Sequence, residues 1–251
     1  MKKVLTLVLA VLMLISAVCC FAGCGKEEKK VLKMATNAYF PPYEFYEGEK
    51  IVGIDAEIAK AIADKLGMEL VIEDMAFDSI LTAVQNGSVD FGMAGMTVTP
   101  ERQKEVNFTT SYAKGVQSII VKEGSAITTV DDLYAEGATY KVGVQLGTTG
   151  DIYSTDDFGE DRVTQYTTGN EAVAALLKGD VDCVIIDNQP AKAYTANNEG
   201  TKILDTSYAE EDYAICVSKE NKDLLEKLNK AIDELIADGT IEKIVNKYIK
   251  E

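Results

Sequence analysis

No histidine occurs in this chain of 251 residues. That absence removes the commonest general base, the Ser-His and Cys-His pairings of nucleophilic catalysis, and most zinc sites. Cysteine is also scarce: Cys19, Cys20 and Cys24 lie near the N-terminus, and no Cys-x-x-Cys pair follows them. Positive charge is outnumbered, with 25 Lys and Arg against 41 Asp and Glu and a net charge of −16. Nucleic acid is therefore excluded as a partner, and anionic lipid headgroups are disfavoured. No metal and no cofactor is expected. What remains is 47% hydrophobic and 26% charged, the balance of a folded globular chain. The length allows one large domain or two small lobes.

The N-terminus reads as a targeting segment. Lys2 and Lys3 precede an uncharged run over 4–23, which ends in Phe21-Ala22-Gly23-Cys24. Two small residues before a cysteine resemble the lipobox of a bacterial lipoprotein signal, with Phe21 where Leu is usual. On that resemblance 1–23 is a signal peptide, Cys24 carries lipid, and 24–30 is a polar tether. An ordinary signal peptide or an uncleaved anchor is the alternative. Each places the folded part outside the cytoplasmic membrane. A disulfide between Cys183 and Cys216 is then open to the chain. Both, however, sit in apolar strand-like runs that favour buried free thiols.

Apolar patterning gives alternating strands and helices. Strands are expected over 31–36, 69–73, 89–93, 115–121, 140–144, 162–166, 181–186, 202–205 and 212–217. Helices are expected over 55–66, 78–86, 129–133, 170–178, 189–197, 223–237 and 241–249, with a turn-rich loop over 37–45. The stretch Met93 to Val106 runs from a buried strand through hydroxyl residues to Pro100 and a short helix carrying Arg102. A helix N-terminus and a guanidinium fork together suit an anion. A surface arginine on a capped helix is the plainer reading. The Gly143, Gly147, Gly150 loop lacks a Gly-Lys-Ser/Thr ending and is not a P-loop.

One internal echo matters. Gly87-Ser88-Val89-Asp90-Phe91 is matched by Gly179-Asp180-Val181-Asp182-Cys183, each following a helical run. Convergence on a common helix-to-strand corner would give the same pattern, but both copies occupy equivalent strand–helix–strand contexts. Two similar α/β lobes are therefore expected, with ligand beyond the carboxyl ends of their strands. The first lobe presents Arg102 there and the second Asp187, a pair suited to a zwitterion.

Several motifs recur in a fixed order. They are Asn37-Ala38-Tyr39-Phe40-Pro41-Pro42-Tyr43-Glu44-Phe45, Val52-Gly53-Ile54-Asp55, Phe77-Asp78-Ser79, Gly95-Met96-Thr97-Val98-Thr99-Pro100-Glu101-Arg102, and Val142-Gly143-Val144-Gln145-Leu146-Gly147-Thr148-Thr149-Gly150. Together with Asp187 they resemble the extracytoplasmic solute-binding proteins of polar-amino-acid ABC transporters. The resemblance covers nearly all of 31–250. It implies the type II periplasmic-binding fold: two similar α/β lobes with mixed, mostly parallel sheets joined by a two-strand hinge. Lobe 1 would be 31–113 plus 214–251 and lobe 2 would be 114–213, with crossings near 112–116 and 211–215. The resemblance puts the ligand α-carboxylate on Arg102, helped by Thr97 and the backbone near Thr148 and Thr149. It puts the α-ammonium on Asp187, with Gly95 and Thr97 assisting, and stacks Phe40 on the ligand side chain. Ile54 replaces the Phe or Tyr often found in the family and suggests a more aliphatic wall. Asn37 stands where many relatives carry Asp, which argues against a lysine- or arginine-specific site. Gln145 and Gln117 either reach the ligand side chain or pack their loops.

The function so implied is capture of an amino acid and delivery to ABC permease subunits. The protein would be a monomer held to the outer face of a bacterial cytoplasmic membrane by its lipid. A sensor-type binding module is the first alternative. An exported dehydratase-like enzyme is the second, and it would need a lone carboxylate such as Glu44 or Asp187 as acid or base.

Overall fold

Strand β1 (Val31–Thr36) turns alternate side chains into the core at its start and is buried throughout its end, as a central strand covered on both faces must be. The structure is a computed structural model describing residues 30–249, so the leader, the lipobox and Cys24 lie outside the described residues. After β1 come a meander of β2 (Tyr39–Phe40), β3 (Glu44–Glu47) and β4 (Lys50–Val52), then α1 (Ile54–Lys65) and β5 (Glu69–Asp74). A 3-10 turn (Phe77–Ser79) leads into α2 (Ile80–Gln85), followed by β6 (Phe91–Gly92), α3 (Pro100–Glu105) and β7 (Val106–Phe108). The expected loop over 37–45 keeps its turn at 41–43 but carries β2 and the start of β3, which join β4 in a three-stranded antiparallel sheet.

The long β8 (Ala113–Lys122) opens the second half. It is followed by α4 (Asp131–Tyr134), β9 (Val142–Gln145), α5 (Thr149–Phe158), β10 (Val163–Tyr166), α6 (Gly169–Lys178), β11 (Cys183–Asp187), α7 (Asn188–Asn197) and β12 (Thr201–Ile203). The chain returns through β13 (Ala209–Tyr213) and β14 (Cys216–Ser218), and ends in α8 (Lys222–Ala237) and α9 (Thr240–Tyr248).

Two sheets organise these elements, in the orders β5-β1-β6-β14-β7 and β10-β9-β11-β8-β12, with β13 also on β8. Parallel pairing occupies β5-β1-β6 and β10-β9-β11, and antiparallel strands extend each trio. Helices α1 and α8 bury Ile58, Ile62, Leu228 and Ile232 on one face of the first sheet, while α2 buries Ile80 and Val84 on the other. The second sheet is covered likewise, with Val173 and Leu176 of α6 on one face and Leu133 of α4 on the other.

The echo read in the sequence is a repeated structural corner. Gly87 and Gly179 both take positive φ, 75° and 92°, the left-handed step that a side chain resists. Three residues on, Asp90 accepts the Lys33 N–H and Asp182 accepts the Lys141 N–H, each at 2.7 Å. Each aspartate thus ties the incoming strand to the first strand of its own trio.

One expected strand is two. Residues 212–217 divide at Ala214 and Ile215: Tyr213 pairs with Ala113 in the second sheet, and Cys216 pairs with Gly92 in the first. A continuous strand cannot hold both registers, so the chain breaks there, with Ala214 N–H donated to Met96 O and Ile215 N–H to Thr109 Oγ1. Cys183 and Cys216 consequently lie in different sheets as free, buried thiols, each pushed up to about 12 by burial.

Candidate functional site

Thr99 makes the Arg102 seat. It is the N-cap of α3, accepting the Arg102 N–H at 3.2 Å, with Pro100 pre-setting the first turn. Such a cap contributes about 1 kcal/mol and fixes which way the helix points. Arg102 is 5% exposed. Its Nη1 donates to Thr97 O at 2.7 Å and its Nη2 to Gly147 O at 3.0 Å, while the guanidinium lies over the Phe77 ring at 5.5 Å. Burial lowers its pKa and Glu211 opposes that shift, so the cation persists in a dry site. Two of its five donors are used by backbone, and the rest remain for a carboxylate.

Asp187 ends β11 and caps α7. Its Oδ1 accepts the Gln189 N–H at 2.9 Å, and its Oδ2 accepts the Val116 N–H at 2.9 Å and the Tyr213 hydroxyl at 2.8 Å. Burial raises its pKa to about 6 against the pull of those donors. The carboxylate is thus oriented but charged at neutral pH, with acceptor capacity to spare.

The two halves meet over a cleft lined by side chains from both, with polar groups set among apolar and aromatic ones. Asn37, Phe40, Gly95, Thr97, Arg102, Gln145, Thr148, Thr149 and Asp187, all read from the sequence, line it together. Gln145 Nε2 donates to Asn37 Oδ1 at 2.9 Å, and the Thr97 and Thr149 hydroxyls are 3.4 Å apart. With Arg102 on Gly147, these contacts tie the two sheets across the cleft. Gly95 has φ 53°, and a Cβ there would meet the Phe40 ring at 2.8 Å, so only glycine lets that ring reach the cavity. Phe40 packs against the cores of both halves.

Ile54 does not line this cavity. It is fully buried in the first core, at the start of α1. Its N–H is donated to Pro42 O, which turns the residue inward behind the meander. The second aromatic wall comes instead from Phe77, which the sequence offered only as part of a motif. Tyr213 and Ile186 also line the cavity and went unread. Tyr43 is core, stacked on Phe40, and Tyr39 is exposed.

The sequence offers Glu44 only as a candidate acid or base. It lines the cavity, is fully buried, and neither carboxyl oxygen has a partner. Burial, followed by the neighbouring Asp55 carboxyl, raises its pKa well above the ordinary range. Asp55 is buried too and is held by the Gly95 N–H and the Tyr112 hydroxyl, each at 2.8 Å. Among the described residues no group of three or more metal-ligating side chains is assembled.

Residues 32–251 match the family model described as bacterial extracellular solute-binding proteins, family 3. The arginine-binding extracellular protein ArtP of Bacillus subtilis (strain 168) is 34% identical over 99% of this chain and 98% of its own length. A putative ABC transporter arginine-binding protein 2 of Escherichia coli (strain K12) is 32% identical over 88% of this chain and 92% of its own. A solved structure of an ancestral arginine-binding protein bound to glutamine superposes with a TM-score of 0.83 at 40% identity, covering 89% of this chain and 99% of that one.

Proposed function

The chain belongs to the bacterial extracellular solute-binding proteins of family 3, and from that premise we propose that its cleft captures an α-amino acid for delivery to an ABC permease. The observation that carries this reading is the buried opposition of Arg102 and Asp187 in one cavity. Arg102, with Thr97 and the first turn of α5, holds the α-carboxylate. Asp187, with Gly95 and Thr97, holds the α-ammonium. Phe40 and Phe77 enclose the side chain. The remaining polar groups, Asn37, Gln145 and Glu44, meet its far end. Asn37 supplies no charge, but Glu44 brings a carboxyl to the same cavity, so a side chain ending in guanidinium or amide fits. The relatives named for arginine support testing arginine and glutamine first.

Because Arg102 and Asp187 come from different halves, ligand bridges them and favours the closed cleft. The β8–β13 ribbon and the Tyr213–Cys216 passage serve as the hinge. Lobe 1 is then 31–113 plus 214–251 and lobe 2 is 114–213. The protein acts as a monomeric binder, not an enzyme, tethered through lipid on Cys24 to the outer face of the membrane.

A thermal-shift panel of the natural amino acids tests the central claim. A ligand at one hundred times its Kd raises stability by about 2.7 kcal/mol. Arginine or glutamine should give a clear shift; a panel in which no amino acid moves the melt would remove the reading.

A further inference from the structure

Glu44 and Asp55 are two neighbouring carboxyls, both fully buried. Three of their four oxygens, Glu44 Oε1 and Oε2 and Asp55 Oδ1, accept nothing from the protein. Two adjacent buried carboxylates repel and cannot both stay ionised without a cation. The charged groups around Glu44 do not supply one. Asp55 of α1, Asp187 of β11 and Asp74 of β5 each push its proton affinity upward. The phenols of Tyr43, Tyr112 and Tyr194 are raised by burial first and then by the same carboxylates. Arg102 is the one cation lining the cavity among the described residues, and its contacts run to Thr97 O and Gly147 O. The pair's open face is the cavity itself, through Glu44.

Resting on the amino-acid reading above, we propose that the Glu44–Asp55 pair shares one proton in the unliganded protein and surrenders it when a cationic side chain enters. Capture of a basic amino acid, but not of a neutral one, is then coupled to proton release. The O–H bond of the Glu44–Asp55 pair breaks, the proton passes to solvent, and the ligand cation takes its place against Glu44, neutralising the charge left on the pair. No electron moves. A neutral amide instead meets the protonated pair as hydrogen-bond donor and acceptor, and no proton leaves.

Asp187, raised to about 6, also titrates near neutrality, but it faces the α-ammonium common to every amino acid. Comparing two ligands cancels it. Titration calorimetry with L-arginine and L-glutamine, in phosphate and in imidazole between pH 6 and 7.5, reads the difference. Arginine should release one more proton than glutamine, and the ratio of their affinities should move about tenfold per pH unit in favour of arginine as pH rises. Equal proton release, or a ratio indifferent to pH, overturns the proposal. So does glutamine binding with no binding of arginine, which leaves amino-acid capture standing. Failure of both ligands also overturns the proposal, while the amino-acid reading falls only if no natural amino acid shifts the melt. Glu44→Gln should erase the extra proton that arginine releases; a folded variant that keeps it overturns the proposal. Should that variant not fold, the two-buffer comparison on the unaltered protein decides alone.

Discussion

Between β1 and α1 the first half inserts the β2–β3–β4 meander, whereas between β9 and α5 the second half runs only from Leu146 to Thr148. The frames around these loops are alike: the same parallel trio, the same glycine corner, the same aspartate clasp on the first strand. The helix N-termini are used differently. In the first half the meander consumes the start of α1, with Ile54 N–H donated to Pro42 O and Asp55 N–H to Tyr43 O. In the second half Thr148 and Thr149, at the start of α5, face the cavity. A helix start thus opens on the cavity from the second half, and Arg102 reaches across from the first to Gly147 O beside it; on the proposed reading the two form one carboxylate seat. The inserted meander brings Phe40 and Glu44 to the same cavity. On the proposed reading, both halves share the clamp on the α-carbon groups, and the meander of the first half adds the wall that meets the ligand side chain.

The largest effect expected on this comparison is at its crossing point. Arg102→Ala removes the only cation of the clamp from a buried site. Affinity should fall by about 2–5 kcal/mol, roughly thirty- to several-thousand-fold, the cost of truncating a buried hydrogen-bonded charge. Calorimetry with whichever amino acid shifts the melt reads it. Retained affinity would mean that the α5 start alone holds the carboxylate, and the division of labour would be wrong.

Asp187→Asn comes next. It keeps a carbonyl for the ammonium but loses the charge, so a loss of about 1.5–3 kcal/mol in affinity is expected. The same variant probes stability against pH. Asp187 and Asp55 both titrate at about 6 when folded, above the ordinary carboxylate value of 3.8. Folding therefore favours their protonated forms. The stability they contribute is complete below the ordinary range and is lost as pH climbs through about 6. The unliganded protein should melt lower at pH 7 than at pH 5, and Asp187→Asn should flatten that slope. An unchanged slope would show that Asp187 is solvated in the open cleft.

These residues were not equally legible in the sequence. Arg102 and Asp187 could be read because a short motif places each at a strand's carboxyl end, and the glycine corner announced the duplication. Thr97, Thr148 and Thr149 came only with the family resemblance, which their loop motifs carry. Tyr213 was hidden because its strand was read as continuous with β14, and the break depends on pairing with β8 and β6 at once. Phe77 was hidden because its role depends on where the Arg102 guanidinium comes to rest. Glu44 was noticed as an acid, but its isolation beside Asp55 is a property of packing that no spacing encodes.

Ile54 gives the smallest effect and the finest test of the meander's role. Its motif position suggested a wall of the ligand site, yet it is sealed in the core behind the meander. Ile54→Val should cost about 0.5–1.5 kcal/mol of stability, the usual consequence of removing one buried methylene. It should leave the preference between arginine and glutamine untouched. Phe77→Leu should do the reverse, altering affinity through the cavity wall and the face beneath Arg102, with stability affected less than affinity. A thermal melt and a competition titration on both variants separate the two. A change of ligand preference in Ile54→Val would mean that the meander transmits core packing to the site, and that its selectivity belongs to the whole insert and not to Phe40 and Glu44 alone.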